Sequence, residues 1–210
     1  MADYAAIGEN LTRGKRDAVK ELVLKALAEG VSAKDVLTLG LLPPMAVIGT
    51  KFKNNEIYVP EVLIAARAMS AGLEILEPIL AAAGVEPAGK VVLGTVKGDL
   101  HDIGKNLVRM MLRGAGFQVI DIGVDVPQAK FVEAVKANSA HLVAMSALLT
   151  TTMLSMKDVI KELKASGLPV KTMIGGAPIT QNFANEIGAD GYGKDASTAV
   201  DVAKQLLGIK

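Results

Sequence analysis

The sequence predicts an N-terminal helical bundle followed by a five-stranded parallel α/β sheet. Three observations lead there. From about residue 4 to 85 the apolar positions recur at helical spacing, with no convincing strand. After about residue 90, five short apolar runs alternate strictly with five amphipathic segments. Between the two textures lies GVEPAGK at 84–90, a Pro/Gly-containing stretch that reads as a linker. The boundaries expected are a helical domain over 1–86 and an α/β domain over 87–210.

In the first half, KRDAVKELVLKALA places Val19, Leu22, Val23 and Leu27 on one helix face. Ser32 is suited to cap the next helix, over 33–52, which Pro43 and Pro44 should break or kink. Pro60 fits the first turn of a further helix over 61–80. Four helices of this length make a small bundle.

In the second half, the apolar runs are 91–96, 118–123, 141–146, 170–176 and a weaker one at 189–193. The intervening helices fall near 104–115, 127–138, 153–166, 179–187 and 196–207. Continuous Val/Ile/Leu runs suit strands buried on both faces, so a doubly wound, flavodoxin-like sheet is expected. Ligands of such sheets bind beyond the carboxyl ends of the strands. Each run ends there in a polar or glycine-rich turn, so chemistry is sought on that edge.

Composition narrows the function. Of 210 residues, 50% are hydrophobic and 3% aromatic, so the core must be aliphatic. A net charge of +1 makes no electrostatic case for nucleic acid or an anionic membrane. The absence of cysteine removes disulfides, thiolate metal sites and cysteine nucleophiles. The N-terminus lacks the layout of a signal peptide, and the apolar runs look too short to span a bilayer. A cytoplasmic location is expected.

One of the two histidines, His101, lies just after the first strand, in GDLHDIGKN. In an extended turn Asp99 points the same way as His101. Its carboxylate can then hold one imidazole nitrogen and leave the other outward as a more basic ligand. A single histidine holds a bare divalent ion poorly. The metal should therefore arrive inside a cofactor. Gly98, Gly104, Gly175, Gly176 and Gly193 lie at the same sheet edge, and Gly175-Gly176 directly after a strand lets a group pass close to the backbone. With Ser146, Thr150, Thr151 and Thr152 they describe a narrow slot lined by small residues. Lys105 and Asn106 read equally as a phosphate site at a helix N-terminus or as a solvated first turn. His141 reads as structural. No GxGxxG follows the first strand, and neither a GxxxxGK[ST] loop nor a GxSxG elbow occurs.

Asp99-x-His101-x-x-Gly104, Ser146-x-Leu148 and Gly175-Gly176 together resemble the cobalamin-binding motif of base-off/His-on corrinoid proteins. The stretch 45-MAVIGTKFKNNEIYVPEVLIAARAM-69 is similar to the helical cap of B12-dependent methyltransferases, methionine synthase included. The whole chain resembles the small corrinoid protein of a multi-component methyltransferase system. That resemblance implies a cobalamin or related corrinoid with His101 as the lower axial ligand of cobalt. Asp99 would hydrogen-bond His101 and relay a proton, with Thr152 where methionine synthase has serine. Asp102 would cap the following helix or touch the corrin edge beside Leu100, Ile103 and Gly104. Gly98, Ser146, Leu148, Thr150, Gly175 and Gly176 would line the nucleotide tail, with Tyr192, Gly193 and Ala196 near its end. Phe52 and Val59 would cover the upper face of cobalt, and the linker would act as a hinge. Cobalt would take a methyl group from a substrate-specific methyltransferase and pass it to a second one using tetrahydrofolate or a thiol. A reductive activase is the third implied partner. Other readings are the B12-binding subunit of an adenosylcobalamin mutase, a B12-dependent regulator, and a flavodoxin-like domain without cobalt.

Overall fold

The structure, a computed structural model, describes residues 2–209. The chain divides into two compact units, one reaching Pro87 and taking in Arg113–Gly116, the other holding Ala88–Leu112 and the rest from Phe117 on.

The first unit is helical: α1 (Tyr4–Thr12), α2 (Arg16–Ala28), α3 (Ala33–Asp35), a π-helical turn (Val36–Leu41), α4 (Leu42–Lys53) and α5 (Val59–Ala82). Val19 and Val23 are fully buried on α2, while Leu22 and Leu27 are only half-buried. Ser32 caps α3 by accepting the Asp35 amide at 3.0 Å. Pro43 and Pro44 do not break the helix. They sit in the first turn of α4, and the preceding backbone widens so that Leu42 N–H bonds to the Leu37 carbonyl, five residues back. A proline has no N–H for the carbonyl four residues earlier, and the π turn accommodates that loss. Gly40 lies in this turn, where a Cβ would come within 3.3 Å of the Ile7 side chain. Contrary to expectation, the 21-residue stretch Ala33–Lys53, mean hydropathy 1.2, is long and apolar enough to cross a membrane. Its Val36, Leu41, Met45 and Ile48 are nonetheless buried in the protein. Pro60 occupies the first turn of α5, and Glu61 reaches back to the Tyr58 amide at 3.3 Å.

The second unit alternates without exception: β1 (Lys90–Thr95), α6 (Ile103–Gly114), β2 (Gln118–Asp121), α7 (Gln128–Asn138), β3 (Leu142–Ser146), α8 (Ser155–Ala165), β4 (Lys171–Gly175), α9 (Gln181–Ile187), β5 (Gly191–Gly193) and α10 (Ala196–Leu206). All five strands are parallel, in the order β2-β1-β3-β4-β5. Val91, Val92, Leu142, Val143, Met173 and Ile174 are buried between layers of helices. One cluster joins the central strands to Phe131 and Val135 of α7, Met156, Val159, Ile160 and Leu163 of α8, and Phe183 of α9. Each such side chain contributes roughly 1.5–3 kcal/mol by leaving water. Several boundaries shift by one or two residues from expectation, and two of the shifts have a visible cause. β2 stops at Asp121 because its carboxylate folds back to the Gly123 amide at 3.0 Å, where Gly123 adopts φ +91°. α8 starts at Ser155, since Leu149–Met153 is spent on turns.

The order reverses between β1 and β3, which is the topological switch point of the sheet. There the chain leaves β1 toward α6 and β3 toward α8, opening a crevice at the carboxyl edge. Register puts Thr95, Ser146, Gly175 and Gly193 on one row across four strands. That row is the floor of the edge on which the sequence places its motifs.

Candidate functional site

Asp99 is the centre of the edge. It has no exposed surface, although it lies in a loop. One carboxylate oxygen, Oδ1, accepts the His101 amide at 3.0 Å and meets His101 Nδ1 at 2.8 Å. The other, Oδ2, accepts the Leu148 amide at 2.7 Å and the Thr152 hydroxyl at 2.6 Å. A carboxylate has about four lone-pair positions, and all are used. Burial alone would push the Asp99 pKa up, but these four hydrogen bonds hold it well below the usual carboxylate range. Asp99 is therefore an ionised acceptor, His101 Nδ1 is the donor, and Nε2 carries the free lone pair.

The imidazole is held but not covered, its side chain being 52% exposed. Thr95, buried in β1, donates its hydroxyl to the His101 carbonyl at 2.9 Å. Leu148 and Thr152 follow β3, so Asp99 ties the loops after β1 and β3 together across the switch point. Around His101 stand Leu100 and Ile103, apolar side chains 72% and 82% exposed, with Leu148 also exposed. Apolar groups raised round a held imidazole suit a broad apolar ligand face.

The remaining expected residues fall as follows. Asp102 directly precedes α6. Its carbonyl accepts the Asn106 amide at 2.7 Å and its carboxylate the Asn106 side-chain amide at 2.8 Å, so it braces the first turn. Gly98 adopts φ +85°. Gly104 takes ordinary helical geometry, and a Cβ there would meet nothing within 4 Å. Neither strain nor packing in the chain demands glycine at 104, so open space there is free for a ligand. Gly175 and Gly176 are both pressed against neighbouring backbone. A Cβ at Gly176 would lie 1.8 Å from the Ala147 carbonyl and one at Gly175 2.8 Å from that of Gly193. Gly193 lies against Ala199 of α10, and Ala196 is buried at the start of that helix. Tyr192 spends its hydroxyl on the Ile179 carbonyl at 2.9 Å, making a wall rather than a polar contact. Thr150 is exposed and Ser146 half-buried. Phe52, half-buried, and Val59, exposed, belong to the helical unit and flank the turn between α4 and α5. His141 accepts the Lys90 amide at 3.1 Å, a structural contact at the opposite end of the strands.

Lys105 is neither a phosphate ligand nor solvated. It is buried, with its ammonium on Asp121 at 2.5 and 2.6 Å, and Arg109 completes the cluster at 2.8 Å. An unpaired ammonium could not stay buried, so Asp121 at the end of β2 fixes the first turn of α6. Asp121 was missed because an acid closing an apolar strand run reads as solvated. Thr95 was missed because threonine is an ordinary strand residue.

The donor set suits a metal that brings its own ligands. Among the described residues no group of three or more His, Cys, Asp and Glu side chains could hold a metal ion. His101 offers a single nitrogen. The Thr198 hydroxyl, in the first turn of α10, is a buried polar atom with no hydrogen-bond partner. An extended cofactor with polar appendages would use such a group.

Fold and site together define a doubly wound α/β ligand-binding domain whose one outward imidazole is oriented by a buried carboxylate. The B12 binding domain family matches residues 89–201, and a second family of the same description matches 4–77. A corrinoid protein of Desulfitobacterium hafniense (strain Y51) is 44% identical over 200 residues, covering 93% of each chain. Dimethylamine corrinoid protein 3 of Methanosarcina acetivorans is 46% identical over 195 residues, covering 92% of this chain and 91% of its own. Among solved structures, the methanol:cobalamin methyltransferase complex MtaBC from Methanosarcina barkeri contains a chain superposing with TM-score 0.89 at 30% identity, over 98% of this chain and 79% of that one. The chain belongs to the B12-binding corrinoid protein family, and it binds a corrinoid.

Proposed function

We propose that this chain is the methyl-carrying subunit of a cytoplasmic corrinoid-dependent methyltransferase system, with His101 Nε2 as the axial donor to cobalt. The observation that carries the reading is the 2.8 Å pairing of His101 Nδ1 with a buried, ionised Asp99, which leaves Nε2 outward at the switch point. Bound there, a corrinoid supplies a cobalt centre able to take up a methyl group and give it away. The protein's part is to hold the imidazole at fixed orientation and basicity. Asp99 does so through the ring, Thr95 through the His101 carbonyl, and Thr152 and Leu148 by keeping Asp99 charged. Leu100, Ile103 and Leu148 offer apolar support to the corrin, and the space at Gly104 admits its edge. Ser146, Thr150, Gly175, Gly176, Gly193 and Ala196 form the side along which the nucleotide tail runs.

The methyl donor we infer is a methylated amine, delivered by a separate substrate-specific methyltransferase. The 46% identity to a dimethylamine corrinoid protein supports this over methanol, whose relative stands at 30%. A second methyltransferase takes the methyl group, and a reductive activase restores oxidised cobalt.

The test is reconstitution with cobalamin, reduction to the Co(II) state and EPR, using protein labelled with ¹⁵N-histidine. Nitrogen coupling that changes with the label and disappears in His101→Ala is expected. Coupling unaffected by either overturns the axial role. Methylation of the loaded protein by a dimethylamine-specific methyltransferase, and not by a methanol-specific one, tests the donor.

A further inference from the structure

Asp99 can align His101 only if Asp99 is itself held, and its main chain is gripped from a different loop. Asp125 lies between β2 and α7, 24 residues past the histidine. Its carboxylate oxygen Oδ1 accepts the Gly98 amide at 2.7 Å, and its own amide donates to the Asp99 carbonyl at 2.9 Å. Two contacts from one residue therefore bracket the Gly98–Asp99 peptide. Asp125 pays for this geometry with φ +53°, a left-handed conformation that aspartate tolerates better than most residues. Its mounting is rigid. Thr95 N–H bonds to the Gly123 carbonyl at 3.0 Å, and Val126 N–H to the Thr95 carbonyl at 3.0 Å. Residues 123–126 thus extend the ladder past the end of β1, and Val126 is buried there. Gly98, at φ +85°, has no side chain to stiffen it, so its position depends on the amide contact.

We propose that Asp125 is a positioning residue for the axial histidine: it fixes the Gly98–Asp99 peptide so that one carboxylate can meet His101 on one oxygen and the 148–152 turn on the other. Without the grip, the loop after β1 keeps its ends but loses its register, and the imidazole samples orientations that miss the metal. The inference rests on His101 being the axial donor.

The experiment uses the full chain, loaded with cobalamin and reduced to Co(II), in three forms: native, Asp125→Gly and Asp125→Asn. Glycine accepts φ +53° without strain and removes only the acceptor, whereas asparagine keeps both the acceptor and the conformation. In Asp125→Gly the ratio of imidazole-coordinated to uncoordinated cobalt, read by EPR, should fall roughly tenfold, the effect of one hydrogen bond to a charged group. Asp125→Asn should restore most of it, and should also recover the melting temperature that Asp125→Gly loses. A native ratio in Asp125→Gly overturns the proposal. Native protein that binds corrinoid without any imidazole coupling overturns the axial reading and the positioning role with it. Hydrogen exchange in the cofactor-free native protein gives an independent readout that needs no variant to fold: the Gly98 and Asp125 amides should be protected, and free exchange at both would also overturn it.

Discussion

Replacing Thr152 by valine keeps the shape of a buried side chain and removes one hydroxyl. Thr152 is 8% exposed and its hydroxyl lies 2.6 Å from Asp99 Oδ2, which retains only the Leu148 amide in the variant. The hydroxyl also lies 3.0 Å from the Leu149 carbonyl, but its single proton serves the shorter, charged contact. A hydrogen bond to a charged group contributes about 1.5–3 kcal/mol, and with Asp99 fully buried no discount for solvent applies. Thr152→Val should therefore unfold at lower urea, with about 2 kcal/mol lost at pH 7. The pH dependence has a definite sign. Asp99 has a depressed folded pKa, so its contribution is complete above the unfolded value of about 4 and is lost as pH falls toward the folded value. The unfolded chain is common to both proteins, so the gap between native and variant is set by the folded state: it should hold its full size from neutral pH down to about pH 4 and close only as pH falls through the folded Asp99 value, well below the usual carboxylate range. Urea titrations of cofactor-free protein at pH 7 and pH 5 measure it. A gap that is absent at pH 7, or that already shrinks between pH 7 and pH 5, refutes the claim that Thr152 acts on the charged carboxylate.

Gly176→Ala should be among the most damaging single changes, costing at least about 3 kcal/mol, because its Cβ meets the Ala147 carbonyl at 1.8 Å and φ is +131°; thermal unfolding by circular dichroism checks it. Gly104→Ala should do the opposite to the empty protein, raising stability by about 0.5 kcal/mol in the first turn of α6, while weakening corrinoid uptake by filling the open space; equilibrium loading followed by visible absorbance shows whether the two effects part. Asp190, lowered in pKa because the Thr172 amide and hydroxyl and Lys171 outweigh its burial, should lose about 1 kcal/mol as asparagine at pH 7, with the deficit fading below about pH 4. Because Asp190 lies on the strand end opposite the motif loops, that substitution should leave cobalt coordination unchanged by EPR.

The sheet was legible because each strand of a parallel doubly wound fold is buried on both faces and writes an unbroken apolar run. Even so, β2 closes two residues early, since Asp121 turns its carboxylate back on Gly123, a contact between side chain and backbone that periodicity does not record. The prolines at 43 and 44 announced a disturbance but not its form. Whether a helix breaks or widens depends on the packing round Gly40, which is tertiary information. At the site, Asp99 and His101 were readable because they sit two residues apart, and local geometry alone brings them together. Asp121 and Asp125 were not, because each acts across the sheet edge on a partner set by strand order rather than by sequence separation, and Thr95, only six residues from His101, was not because nothing in a strand threonine tells that its hydroxyl turns to a loop carbonyl.

That contrast bears on how the site works. A doubly wound sheet has one place where neighbouring loops diverge, and there an unsupported loop would be least ordered. This chain puts a fully buried carboxylate at that place and closes it with four donors from the loops on either side. The same ion that pins the two loops also selects the imidazole tautomer. Weakening the pin with Thr152→Val should then loosen both at once, so the stability lost and the imidazole coordination lost should scale together across variants of Thr152. Variants that lower stability equally from the core, such as Leu163→Ala, should leave coordination intact. If coordination follows global stability regardless of where the substitution lies, the carboxylate is an ordinary buried ion, and the coupling of fold to cobalt through Asp99 does not exist.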